Sequence, residues 1–181
     1  MSIAAMFRTF TRDTRGHVNV EAIIVFPALL FIFGVGWTYF DAFRQQAVNQ
    51  KANYVISDMI SRETAAITPD YIANASQMLR HLTKSTAAET DLRVTVVQYD
   101  SDLGWQVVWS EERGDYPQLQ NADMPAYAGR LPQGLPGEQL IIVETWDTFD
   151  PIFNVGLDTF EITTYSFTRP RYSPQIVFSG V

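Results

Sequence analysis

The spacing of apolar and polar positions takes three forms along the chain. Ala22 to Phe40 is 19 residues with no charge and no polar face. At a helical rise of about 1.5 Å per residue it spans roughly 28 Å, close to the hydrocarbon thickness of a bilayer. Trp37, Tyr39 and Phe40 cluster at its far end, and Asp41 and Arg44 mark the return to water. This predicts one membrane helix over residues 17–40, with an aromatic belt at its outer end. Pro27 inside the run removes a backbone hydrogen bond and is expected to kink or loosen the helix. Gly34 and Gly36 would permit close helix approach.

From Asp41 to Ala66 apolar residues recur every three or four positions: Val48, Ala52, Val55, Ile56, Met59 and Ile60. Gln45, Gln46, Asn49, Gln50, Lys51 and Arg62 lie mostly off that stripe. The pattern predicts a continuing amphipathic stem whose apolar stripe faces a core. Thr68, Pro69 and Asp70 form a restart signal, with a cap, a first-turn proline and a dipole-favouring acid. Ile72, Ala75, Leu79 and Leu82 then give a second helix one apolar face. Stem and second helix together occupy residues 41–88.

Beyond Ala88 the period becomes two. Leu92–Asp100 alternates, Gly104–Glu112 alternates through Trp105, Val107 and Trp109, and the glycine-containing link between them suits a hairpin. Residues 113–137 hold four prolines and four glycines and read as a long surface loop. Gln139–Trp146 and Phe160–Phe167 read as strands, and Gln175–Phe178 as a short edge strand. The predicted fold is α+β and pilin-like: a long N-terminal membrane helix, a stem, a second helix and an antiparallel sheet of about four strands. The β-rich head would span residues 89–181.

Charge orients this arrangement. Arg8, Arg12 and Arg15 precede Gly16 against one acid, Asp13. The remainder holds 10 basic and 19 acidic residues. A basic head and an acidic body place the N-terminus in the cytoplasm and the C-terminal domain outside it. The net charge of -7 argues against nucleic-acid binding. A secretory signal would have a shorter apolar core and a small-x-small cleavage site, and Asp41–Ala47 offers no good one. A buried core helix is the other alternative, but a run apolar on every face is unusual for a soluble domain of this size.

Glu21 is the only acid between Asp13 and Asp41, and it stands at the mouth of the apolar run, five residues after Gly16. Cleavage after Gly16 would remove a basic leader, residues 1–16, make His17 the first residue and Glu21 the fifth, and leave the helix on the mature protein. This stretch, Arg15 to Phe33, resembles the TadE-like pseudopilins of the tight-adherence (Flp type IVb pilus) system, down to the proline a few residues into the helix. Glu138–Phe153 and the tail Thr168–Pro174 are similar to the outer domain and Arg-Pro-Arg end of that family. The resemblance implies a bacterial inner-membrane protein with a periplasmic head. It implies processing by a prepilin peptidase at Gly16 and His17, with His17 a candidate for methylation. It implies contact of Glu21 with the N-terminal amine of a neighbouring subunit. The implied partners are other pilins or pseudopilins and inner-membrane assembly proteins. Ala22, where major pilins favour an aromatic, and the polar His17 point to a minor component.

Catalytic chemistry has little to draw on. There is no cysteine, and the histidines are His17 and His81 alone. His81, beside Arg80, reads as a solvated helix residue. Asp100 and Asp102 recur as in a calcium loop, but Leu103 and Gly104 break the ligand spacing and a hairpin turn fits better. Asp147, Asp150 and Asp158 read as solvated acids, and Asn74 as an uninformative sequon in a helix. No glycine-rich phosphate loop is present. The expectation is a structural component without enzyme activity, cofactor, metal or small-molecule substrate. The competing reading is an unprocessed single-pass inner-membrane protein with a periplasmic sensing or binding domain, in which Glu21 is merely interfacial and complements the helix dipole.

Overall fold

The computed structural model describes residues 17–153 and 155–180, the first four of them as backbone alone. Helix α1, His17–Ser61, is 45 residues long and continues without interruption through Pro27. Helix α2, Pro69–Thr83, begins as its sequence requires: the Thr68 hydroxyl accepts the Tyr71 N–H at 3.2 Å, with Pro69 in the first turn. It ends at Lys84 in the left-handed region, whose N–H returns to the Arg80 carbonyl. Four strands follow: β1 (Thr90–Asp100), β2 (Gly104–Arg113), β3 (Gln139–Phe149) and β4 (Phe160–Thr168). They form one antiparallel sheet in the order β2-β1-β3-β4. The fold is α+β, as the pattern predicted. The chain divides into two compact units. One holds α1 up to Asp41 together with Pro151–Leu157, and the other holds Ala42–Asp150 and Asp158–Val181.

Within the second unit the sheet is covered on both faces. That is why β1 and β3, its central strands, are buried almost end to end. One face presents Leu92, Val94, Val96, Ile141 and Val143 to Ala52, Ile56 and Ile60 of α1 and to Ile72, Ala75 and Leu79 of α2. The opposite face presents Val97, Trp105, Leu140 and Ile142 to Leu119, Met124, Tyr127 and Leu131. The latter four come from residues 113–137. That segment therefore does not run free over the surface. It folds onto the sheet around a short 3-10 helix, Asn121–Ala126, and supplies a second core layer.

The stem stripe is rotated from its predicted position. Val55 is 42% exposed, whereas Asn49 and Asn53 are buried, in line with Ser57 and Ser61. Both asparagines donate to β3, Asn49 Nδ2 to Asp147 Oδ2 at 2.7 Å and Asn53 Nδ2 to the Val143 carbonyl at 3.0 Å. Directed hydrogen bonds to the sheet outweigh the transfer of one valine. On α2, Leu82 is exposed and Thr83 takes the buried position, its hydroxyl bonded back to the Leu79 carbonyl.

A β-bulge corrects the second strand. Val96 pairs with Trp109 and Val97 with Val107, so Val108 is the extra residue. The bulge turns Trp109 to the helix-covered face, away from Trp105 and Val107. There its indole N–H donates to the Ile176 carbonyl at 2.9 Å, and its ring lies 5.2 Å from that of Phe178. Gln175–Phe178 is not an edge strand of the sheet. Ile67 and Phe178 form an isolated parallel bridge instead.

Truncating Ile56 to Ala is expected to lower the unfolding free energy of the full-length protein in detergent by about 2–5 kcal/mol. Val55→Ala should change it by less than about 0.5 kcal/mol. Denaturant titration of the two variants distinguishes the observed rotation of α1 from the predicted one.

Candidate functional site: the apolar helix and two buried polar clusters

The residues singled out from sequence lie at the start of α1. His17 is in the helix, and Glu21 is an exposed residue on it. Gly16 and the rest of the leader lie outside the described residues. Beyond Glu21 the helix exposes Ile23, Ile24, Phe26, Phe31, Ile32 and Phe33 around its circumference. A water-facing surface does not carry such a continuous apolar band. By length and composition this helix is able to cross a membrane. Gly34 and Gly36 have nothing within 4 Å of where a Cβ would stand, which leaves room beside both. The Gly34 carbonyl also accepts the Thr38 hydroxyl at 2.9 Å.

Two buried polar clusters, neither anticipated from sequence, organise the other unit. In the first, the Asp147 carboxylate is 1% exposed, not solvated as its sequence context suggested. It accepts from Gln45 Nε2 at 3.2 Å, Asn49 Nδ2 at 2.7 Å and Thr90 Oγ1 at 2.8 Å. Gln45 Nε2 also donates to the Thr83 carbonyl, and Thr90 continues through Ser85 to Thr83. The carboxylate thus joins α1, the end of α2, β1 and β3.

The second cluster lies on the opposite face of the sheet. Arg93 and Glu144 face each other across β1 and β3. Arg93 Nε and Nη2 donate to Glu144 Oε2 at 2.9 and 2.7 Å. Nη2 also donates to the Tyr127 hydroxyl at 3.0 Å, and Nη1 to the Pro117 carbonyl at 2.8 Å. Tyr127 in turn donates to Glu144 Oε1 at 2.7 Å. The guanidinium lies 5.0 Å over the Trp146 ring, which stacks on Tyr116 at 3.9 Å. Burial, then the hydrogen bond to Glu144, pushes the Tyr127 phenol up to about 12. Every donor of Arg93 named here is engaged within the protein, so the cluster's chemistry is to clamp the 113–137 segment to the sheet.

The remaining candidates fall into structural places. His81 is exposed on α2. Asp100 Oδ1 accepts the Asp102 and Leu103 N–H groups at 2.8 and 3.0 Å, which closes the β1–β2 hairpin and holds its carboxyl below the usual range. Among the described residues, no group of three or more His, Cys, Asp or Glu is placed to hold a metal ion. An open cleft of about 400 Å³ beside this hairpin is lined by Tyr99, Trp105, Asn121, Met124 and Leu131 among others, with no acid, histidine or lysine. Comparison with family models, with curated proteins and with solved structures gave no match.

Replacing Glu144 by Ala leaves Arg93 buried without its counter-charge and is expected to cost about 3–5 kcal/mol of stability. The tyrosine sets a pH window. Its folded value lies above its ordinary 10.0, so its contribution is complete below pH 10 and is lost as pH rises through about 12. Circular dichroism should show stability falling across that interval. Tyr127→Phe, less stable at neutral pH by about 1–3 kcal/mol, should lose less over the same range.

Proposed function

We propose that this chain is a minor pseudopilin-like structural component required for assembly of a tight-adherence pilus. A prepilin peptidase would cut after Gly16, and α1 would hold the mature protein in the bacterial inner membrane with its head in the periplasm. The observation that carries this reading is the Gly16 to Glu21 spacing directly before an uncharged 19-residue run. A continuous helix with an apolar exposed surface and an α+β head supports it.

The chemistry of the role is contact. A carboxylate among apolar side chains is costly in a medium of low dielectric unless a cation meets it. The amine created at His17 by cleavage of a neighbouring subunit would supply that cation. A subunit would then be admitted to a helix bundle only with its terminus correctly cut. The head, whose buried polar groups serve its own packing, would present its surface to other pilus proteins. No reaction is assigned to it.

Mass spectrometry of the protein from its native membrane should give a chain beginning at His17. A chain that still carries residues before Gly16 would overturn processing. Glu21→Ala should leave membrane insertion unchanged and abolish pilus assembly, and Glu21→Asp should retain part of it. Normal assembly with Glu21→Ala would instead favour the unprocessed single-pass ectodomain.

A further inference from the structure

The β3–β4 connection carries apolar side chains where a hairpin link needs only a few polar turn residues. Pro151 to Leu157 contains no charge, and Asp150 and Asp158 bracket it. Ile152 is 72% and Phe153 49% exposed. The neck beneath them is closed, with the Phe149 and Phe160 rings 5.4 Å apart and Thr159 Oγ1 donating to Asp150 Oδ1 at 2.8 Å. The sheet therefore has no further use for these two side chains.

Their location points to an occupant. Along the seam between α1 and β3, Asn53 meets Val143 and Gln45 meets Asp147. Strand β3 thus advances toward the lower numbers of α1. Past its end, Pro151–Leu157 belongs to the same compact unit as α1 up to Asp41. Seven residues going out and back reach at most about 12 Å, so the loop stays near the end of the apolar run. That end carries the exposed rings of Trp37, Tyr39 and Phe40, the side chains suited to a bilayer interface.

We infer that Ile152 and Phe153 form a second lipid contact, entering the headgroup–acyl boundary beside the aromatic end of α1. This rests on α1 being membrane-spanning. The flanking Asp150 and Asp158 gain nothing from anionic headgroups, so the contact is apolar and insensitive to salt and to anionic lipid.

The absence of cysteine allows single-site labelling. Ile152→Cys, Phe31→Cys and Val108→Cys, each carrying an environment-sensitive fluorophore, are placed in the full-length protein in phosphatidylcholine vesicles. The expected result is loss of iodide quenching and gain of quenching by headgroup-proximal doxyl lipid at 152. Deep doxyl quenching is expected at 31 and iodide quenching at the exposed bulge residue 108. Iodide quenching at 152 with lipid quenching at 31 overturns the lipid contact alone. Protection at 152 from both quenchers overturns it in favour of a protein neighbour, such as a second copy. Iodide quenching at 31 removes the membrane-spanning reading and this inference with it. A contact at 152 that disappears in high salt overturns its apolar character.

Discussion

Asp147 brings a carboxylate into the seam between α1 and β3, and the elements around it are arranged to meet that group. Removing a carboxylate from water costs several kcal/mol unless its lone pairs are satisfied. Gln45, Asn49 and Thr90 satisfy them with neutral donors drawn from α1 and β1. A rotation of the stem about its axis would withdraw two of the three. The apolar contacts of Ile56 and Ile60 tolerate small rotations, whereas these bonds do not. The polar seam thus sets the orientation of the stem helix on the sheet, and the apolar core fills in around it.

The opposite face of the sheet solves a different problem. A four-stranded sheet with one bare apolar face needs a second layer, and here a proline- and glycine-rich segment supplies it instead of a helix. Leu119, Met124, Tyr127 and Leu131 reach the sheet from that segment. Arg93, Glu144 and Tyr127 tie the segment down by directed bonds. A buried ion pair adds little net stability over a hydrophobic substitute. Its effect is on register: a one-residue slip of β1 against β3 would send Arg93 to the other face and strand both charges.

The fold leaves uncovered, among other apolar side chains, the apolar surface of α1 and the tip of the β3–β4 connection. The buried charged groups of the sheet, Arg93, Glu144 and Asp147, are met from within, so function is to be sought on those exposed apolar surfaces. The proposed pilus role and the proposed lipid contact both draw on them. Glu21 is the charge at the mouth of the apolar run of α1, and its spacing from Gly16 gives it a specific partner in the proposed assembly.

Local physics was legible in the chain. The uncharged run, the cap at Thr68, the proline after it and the period-two alternation of β1, β2, β3 and β4 located both helices and all four strands to within about five residues. The sequence gave no sign of the 3-10 helix Asn121–Ala126, and it suggested an edge strand at Gln175–Phe178 that the sheet does not have. Each of the signals that located an element depends on neighbours close in sequence. The spacing of Gly16 and Glu21 was equally local, although Gly16 lies outside the described residues. Tertiary structure alone decided the rest. Asn49 reads as a solvent residue until Asp147, 98 positions away, arrives to accept its amide. Trp109 reads as a partner of Trp105 until the bulge at Val108 turns it over. The 113–137 segment reads as a surface loop until the sheet offers it a bare apolar face. Periodicity states which residues share a side of an element. Which side is buried, and whether a polar residue there is tolerated, depends on partners that come together only when the chain folds.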